Sequence, residues 1–355
     1  MCQNLDSRGG SLKKNPPGSG PPTLTPRRWK SSLTGHPGAF DFHASTGRLL
    51  RSFDVVHYIS YFDPPWHNEC DVATAIELHG YVVSRCQVTN PLDRPGITSK
   101  PQIKPGDLIL TSVPHRVPLT ELRDYKAQGA ILACWYWDWI FGLGNREADY
   151  LPALLLMDAV FSSDGFCGRP YIRRHVNCRH YLPQCATPRT SLAPPDRRTK
   201  KHDIVFLGHL WTPDRKELAR RLRHRWDFAN VGFGPRVWGA ELADVCQSTS
   251  IMIGTNYRND IGGYWSDRCY VTMGAGGFYL GQHVKGLERV FQDGVHCGFF
   301  YGLDDMEVKV DWWLSHPAEL EACRQRGHAL VQQKHTYTKR VSELLSALRS
   351  RQFIK

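Results

Sequence analysis

At 355 residues the chain is too long for one ordinary hydrophobic core, so two domains are expected. Its 41% hydrophobic and 11% aromatic content is that of a folded soluble protein, and no apolar run approaches the roughly 20 residues that cross a bilayer. The formal charge of +11 suits a solvated basic face with a basic tail, or else phosphate-bearing partners, and the eleven scattered cysteines, with no Cys-x-x-Cys pair, argue for reduced thiols in a cytoplasm rather than a disulfide framework.

Residues 1–50 are rich in Gly, Pro, Ser and basic residues, and hold seven Lys/Arg against Asp6 and Asp41. Such a segment buries too little apolar surface to offset its ordering entropy and is expected to be a disordered basic tail. Lys13 and Lys14 are followed by no apolar stretch, so the tail does not read as a secretory signal.

A strand and helix alternation begins after Ser52. Phe53–Ile59 reads as a buried strand, Glu69–His79 as a helix closed by Gly80, and Asp107–Thr111 as a second strand. A helix over Leu119–Gln128, a third strand over Ala130–Trp135 and a fourth over Ala159–Ser163 come next. Continuous apolar strands between helices imply a parallel sheet covered on both faces. The Pro-rich, charged stretch 187–201 reads as a linker between domain 51–186 and domain 202–355. The alternation then restarts with strands over Asp203–Leu207, Phe228–Val231, Ser250–Gly254, Gly277–Gly281 and Gly298–Tyr301, a basic helix over Asp214–Arg225, and terminal helices at the end. Two α/β halves of this kind place a cleft between the carboxyl ends of two parallel sheets.

Within the second half, Tyr264-Trp265-Ser266-Asp267-Arg268-Cys269-Tyr270-Val271-Thr272-Met273-Gly274-Ala275-Gly276-Gly277-Phe278 carries the most chemistry. Ser266 is expected to cap a short helix, with Asp267 and Arg268 in its first turn. Its unpaired N–H groups and the Arg268 fork suit a diphosphate. Gly274, Gly276 and Gly277 let the backbone leave the helix and approach a neighbour closely.

The pieces Tyr264–Tyr270, Gly274–Phe278, Gly286-Leu287-Glu288, Phe291–Gly294, His296, Tyr301 and His335–Arg340 together resemble the CgeB-like, spore-maturation-type glycosyltransferases, relatives of the group 1 enzymes. The resemblance covers about residues 203–345 and is thinner over 53–185, where Asp107–Leu110, Trp137-Asp138, Asp158–Phe161 and Leu182-Pro183-Gln184 carry it. It implies a GT-B fold: two Rossmann-like domains with parallel sheets facing a central cleft. It also implies a nucleotide-sugar donor, with a UDP-sugar favoured, held by the second domain, an acceptor facing the first, and no bound metal or other cofactor. The implied donor site comprises Gly208, Arg215, Tyr264, Ser266, Arg268, Gly276, Gly277 and Glu288. Relatives often carry a glutamate that binds the donor ribose where this chain has Val271, which makes Glu288 the first substitute.

A transferase of the inverting kind needs a base for the acceptor hydroxyl, while a retaining one relies more on donor geometry and leaving-group stabilisation. The loop Asp63-Pro64-Pro65-Trp66-His67-Asn68-Glu69 lies after the first strand and is expected to open on the cleft. Asp63, His67 and Glu69 each offer a proton acceptor, with His67 preferred for its pKa; Asp63 as a turn former and Glu69 as a first-turn acid are the structural alternatives. Asp138, between Trp137 and Trp139, suits a sugar hydroxyl, while the tryptophans equally suit a core. His175, Cys178, His180 and Cys185 fit no common zinc spacing, and Asp304-Asp305 reads as a helix cap.

The expected function is sugar transfer to a hydroxyl acceptor: a surface glycan, a protein, a metabolite or a hydroxymethylated DNA base. The basic segments 169–201 and 215–225 keep nucleic acid open as a partner. The competing function is a non-catalytic nucleotide- or glycan-binding module with the same fold.

Overall fold

The structure is a computed structural model and describes residues 53–350, except 54, 64, 66, 91, 141–145, 164–178, 188–198, 233–236 and 238. The expected tail, most of the expected linker, most of the basic segment 169–201, and His175 and Cys178 lie outside the described residues.

The apolar runs form the centres of two parallel sheets. In the first, β1 (Val55–Ser60), β2 (Val82–Gln87), β3 (Leu108–Thr111), β4 (Ile131–Tyr136), β5 (Ala159–Ser162) and β6 (Arg179–Tyr181) take the order β2-β1-β3-β4-β5-β6. Val56 and Tyr58 of β1, Leu108 and Leu110 of β3, and Ala133 and Trp135 of β4 enter one core layer, while Ile59, Ile109, Leu132 and Cys134 enter the other. That period of two is what a strand buried on both faces produces. Helix α1 (Asn68–Leu78) contributes Val72 and Ile76 to the first layer; α2 (Leu119–Ala127) and α3 (Arg146–Leu154) contribute Leu122, Tyr125 and Tyr150 to the second.

The second sheet holds β7 (His202–Leu207), β8 (Phe228–Val231), β9 (Thr249–Gly254), β10 (Tyr279–Gln282) and β11 (Gly298–Phe300) in the order β11-β10-β9-β7-β8. Its helices are α4 (Pro213–Arg225), α5 (Ala240–Gln247), α6 (Arg268–Gly274), α7 (Leu303–Ser315) and α8 (Pro317–Lys334). Ile204 and Phe206 meet Leu218, Leu222, Met306 and Val310 on one face; Val205 and Leu207 meet Leu242, Cys246 and Val271 on the other. Every pairing in both sheets is parallel, so the carboxyl ends of the strands share one edge of each sheet.

Two elements depart from the sequence reading. The edge strand β2, Val-Val-Ser-Arg-Cys-Gln, pairs with β1 from Val55↔Val82 to Ser60↔Gln87. Among the described residues it has one neighbouring strand and a largely accessible surface, so it lacks the continuous apolar run of the inner strands. The last helix, α9 (Tyr337–Arg349), was expected to finish the second half and instead packs on the first sheet. Its stripe of Tyr337, Val341, Leu344, Leu345 and Leu348 joins the core layer of Val56, Val72 and Trp135, an apolar face that the first half leaves open. The chain crosses between halves beside its own earlier crossing, with Ala186 N donating to His335 O at 2.9 Å and Tyr337 N donating to Ala186 O at 3.2 Å.

Candidate functional site

At the carboxyl edge of the second sheet two guanidinium groups converge. Arg268, the first residue of α6, is 5% exposed; its Nε donates to Leu207 O and its Nη1 to Thr255 O at 3.0 Å. Arg215, in the first turns of α4, donates through Nη1 to His209 O at 3.1 Å and through Nη2 to Thr255 O at 3.3 Å. Both guanidinium groups lie over the Phe206 ring, at 5.1 Å for Arg268 and 5.7 Å for Arg215. Their protein partners are carbonyls, and among the described residues neither is paired with a carboxylate. Arg215 Nε is buried with no hydrogen-bond partner among those residues. Burial lowers the Arg215 pKa, and the neighbouring Arg268 charge lowers it further.

Local sequence explains the seat. Gly208 comes directly after β7 with φ 128°, and a Cβ there would lie 2.8 Å from the Arg268 guanidinium. A side chain at 208 would displace the arginine. Thr212 caps α4 by accepting from Arg215 N at 3.4 Å, which fixes the helix start that carries Arg215. The ring of Tyr279 fills the space that Cβ atoms on Gly254 and Gly281 would need, and its buried hydroxyl has its pKa raised by desolvation. Sequence reading missed Tyr279, although a glycine in each of two neighbouring strands was its signal.

The motif around Ser266 is rearranged relative to expectation. Helix α6 begins at Arg268, with Asp267 at the cap position and making no capping bond of its own. Ser266 sits one residue farther out, where its hydroxyl accepts from Arg268 N at 3.1 Å and donates to Asp267 at 3.2 Å. The helix is seven residues long and wholly buried, Cys269, Tyr270 and Met273 facing one core layer and Val271 another. A carboxylate in place of Val271, 4% exposed among Leu207, Val237 and Leu242, would be unpaired in an apolar layer.

Two expected donor ligands are displaced. Gly276 and Gly277 precede β10 and therefore lie at the amino edge of the sheet, opposite the arginines. There Gly276 turns with φ 82° and accepts from Arg324 at 2.5 Å, while Gly277 packs so closely on Cys246 and Thr272 that a Cβ would meet Thr272 at 3.0 Å. They shape the turn and do not line the site. Glu288 does lie beyond the carboxyl end of β10, where it accepts from Gly286 N at 2.7 Å and pairs with His283 at 3.1 Å. Desolvation raises its pKa, but the backbone bonds and His283 outweigh this and hold the carboxyl below its ordinary value.

The carboxyl edge of the first sheet carries a different set of groups. Ser60 ends β1 and Ser112 stands just after β3; their hydroxyls donate to Glu69 Oε1 at 3.2 and 3.0 Å and contact one another at 2.5 Å. Tyr58 OH donates to Ser112 at 3.3 Å. Burial raises the Glu69 carboxyl to about 7 against a backbone bond and the two serine bonds, with the charge of Asp138 adding slightly to the rise. Glu69 Oε2 lies 3.9 Å from His67 Nδ1. Burial lowers the His67 pKa, partly offset by Asp63. Asp63 itself is exposed in the loop, and Asp138 is exposed after β4. Trp135 is buried with its Nε1 donating to Leu182 O at 2.9 Å, and Trp137 stands against Trp135, so both serve the core. Trp139 instead faces Tyr264 of the second half at 5.8 Å between ring centroids.

The two edges touch. Asn68, between His67 and Glu69, donates to Asp267, beside Arg268, at 3.1 Å, and Tyr181 OH donates to Gly263 O at 2.6 Å. Asn256 accepts from Ser266 N at 2.8 Å and steadies the loop that makes these contacts. Loop residues from both halves thus meet at one place, bringing His67, Glu69, Tyr264, Ser266 and Arg268 to the junction.

The other sequence candidates are structural. In α4, Arg220 pairs with Glu217 at 2.7 Å, Arg221 with Asp304 at 2.5 Å, and Arg225 with Glu307 at 3.2 Å and Asp311 at 2.7 Å. These carboxylates pair three of the basic residues in the segment 215–225 that sequence reading offered to nucleic acid. Asp305 accepts from Tyr301 N at 2.9 Å, as a helix-start residue does. His180 stacks on Phe161 at 5.3 Å, and Cys185 is a buried thiol with a raised pKa.

Comparison with known proteins agrees with this fold. Residues 189–346 match the family model described as glycosyl transferase-like. No curated protein matches the chain by sequence. Among solved structures it is similar to sucrose-phosphate synthase from Thermosynechococcus elongatus, with a TM-score of 0.61 at 12% identity over 83% of this chain and 98% of that one. It is also similar to Anabaena HepE in complex with UDP-glucose, with a TM-score of 0.57 at 10% identity over 82% and 99%. A glycosyltransferase from Rickettsia africae gives 0.56 at 8% identity over 84% and 98%. The chain has the GT-B fold, and its second half carries a glycosyl transferase-like domain.

Proposed function

We propose that the protein transfers a sugar from a nucleoside-diphosphate sugar to a hydroxyl acceptor, as a member of the CgeB-like branch of the group 1 glycosyltransferases. The observation that carries this reading is the pair Arg215 and Arg268, two cations whose hydrogen-bond partners among the described residues are carbonyls, at the carboxyl edge of a glycosyl transferase-like domain. A diphosphate offers an acceptor to Arg215 Nε, which has no partner among the described residues, relieves the crowding of two like charges and accepts charge-assisted bonds. The same two charges stabilise the departing nucleoside diphosphate, the work that a divalent ion does elsewhere, so the reaction runs without a metal. HepE, solved with UDP-glucose, favours a UDP-sugar as donor. Glu288 is the first candidate for the donor ribose, since Val271 faces the apolar layer.

The acceptor in this reading is a glycan, protein or small metabolite in the cytoplasm. Carboxylate pairing along α4 argues against DNA. The buried Glu69 cluster favours an enzyme over a binding module, because a module has no use for a carboxyl that titrates near neutrality. Isothermal titration of the full chain with UDP, GDP and dTDP and their glucose conjugates tests the donor. Binding of the UDP compounds that weakens with added salt is expected; no binding of any of the six overturns the reading.

A further inference from the structure

Among the described residues the exposed aromatic side chains are Trp211, Tyr257, Tyr301 and Trp312, and all but the last share one edge of the molecule. Trp211 stands in the loop after β7, Tyr257 in the loop after β9 and Tyr301 directly after β11, and they are 76%, 53% and 68% exposed. They therefore lie at the carboxyl edge of the second sheet, the edge that carries Arg215 and Arg268. A ring left in water forfeits the free energy that its burial would give, so three of them gathered at one edge mark a place for a ligand.

Two of these rings are built as platforms. Trp211 lies parallel on the His209 imidazole, with 4.4 Å between centroids and 7° between planes. His209 is fixed through its carbonyl, which accepts from Arg215 Nη1 at 3.1 Å, and Leu210 between the two rings packs on the core of the sheet. Tyr301 lies on His283 at 4.7 Å and 31°. His283 N donates to Phe300 O at 2.9 Å, and its Nε2 is 3.1 Å from Glu288. Each ring has one side backed by a held imidazole and its remaining surface open. Flat faces fixed in this way leave little to be ordered when a ligand arrives.

Spacing selects the kind of ligand. In the order β11-β10-β9-β7, three strand intervals separate the two platforms, about 14 Å at the usual strand separation, with the end of β9 between them. One sugar ring, or one nucleobase, cannot lie on both. A protein partner is met by a contiguous apolar centre, whereas these rings stand apart on separate strand ends. A ligand of repeated rings, each with an apolar C–H face between its hydroxyls, matches platforms repeated along a sheet edge.

We propose that the acceptor is an oligosaccharide of three or more rings, whose sugar faces lie on Trp211 and Tyr301 along the carboxyl edge of the second sheet. This rests on the sugar-transfer reading above and narrows its acceptor to a glycan. Tyr257 stands between the platforms in strand order. The platforms share their edge with the donor arginines, so a glycan held there has one end beside the departing diphosphate.

An array of glucans, chitin oligomers, mannans, galactans and rhamnans of one to six rings, probed with the labelled full chain, tests this. Retention is expected to begin at three rings. Trp211→Ala and Tyr301→Ala are each expected to weaken binding of the best-retained glycan by about tenfold, the upper end for one stacked ring. Trp312→Ala, which removes a ring also stacked on a histidine but well along α7, is expected to leave it unchanged. All three side chains are exposed, and an unchanged melting temperature checks that the variants fold. Retention of no glycan, equal retention of single sugars and hexasaccharides, or unchanged retention by both Trp211→Ala and Tyr301→Ala overturns the proposal. So does loss of UDP affinity in Trp211→Ala with glycan retention intact, since the ring then lies under the nucleobase. Failure of UDP and UDP-glucose to bind the wild type overturns the donor reading instead, and the array then decides this one alone.

Discussion

The carboxyl edges of the two sheets treat charge in opposite ways. The second presents Arg215 and Arg268, cationic at any working pH and held by carbonyls over one aromatic ring. The first presents Glu69, a buried carboxyl raised to about 7, beside His67, whose pKa burial lowers. The fold is the same βα repeat in both cases, so the difference arises in the loops at the strand ends. In the sugar-transfer reading, one half offers fixed cations suited to an anion and the other a buried carboxyl whose charge changes near neutrality.

The most severe way to break that division is Arg268→Met, which removes a permanent charge and the N–H groups that donate to two carbonyls. UDP affinity is expected to fall by roughly 1,000-fold, about 4 kcal/mol, measured by titration calorimetry. A loss under tenfold would remove Arg268 from the anion site. Melting temperature should fall as well, because Leu207 O and Thr255 O lose donors.

Glu69→Gln sharpens the other side. An acid raised from 4.5 to about 7 in the folded state contributes stability that is complete below its unfolded value and lost as pH rises through the folded one. The ionised carboxylate therefore costs the folded protein about 3 kcal/mol at pH 8 and above. Glutamine keeps an acceptor for Ser60 and Ser112 without that charge, so the variant is expected to be more stable than wild type at pH 9 and equal to it near pH 4. Urea unfolding at both pH values checks this. A stability gain alongside lost turnover is the sign of a group kept for function.

Asn68→Ala has the smallest expected effect. It deletes the 3.1 Å bond to Asp267, costing about 1 kcal/mol by denaturation, with UDP affinity changed by less than about threefold. A tenfold change in affinity would show that the two edges are coupled and not independent.

Much of this architecture is legible in sequence, because β1, β3, β4, β5, β7 and β9 are apolar runs buried on both faces. The edge strand β2 is not, since half-exposed positions remove the apolar signal. Arg268 is readable from its motif, while the role of Gly208 depends on a contact with that distant arginine that no spacing reveals. Glu69 reads in sequence as an ordinary first-turn acid. Its environment comes from Ser60 and Ser112, which only the pairing of β1 with β3 brings together. Gly276 and Gly277 mislead because the motif is continuous in sequence, whereas α6 carries the chain from one edge of the sheet to the other.

The return of α9 to the first sheet bears on how the chain is made. Tyr337, Val341, Leu344, Leu345 and Leu348 complete a layer whose other members were synthesised before the second sheet began. On the ribosome the first half therefore waits with an apolar face open while the second, which contains all of its own strands and most of its helices, is built. The half that emerges first is the one that finishes folding last.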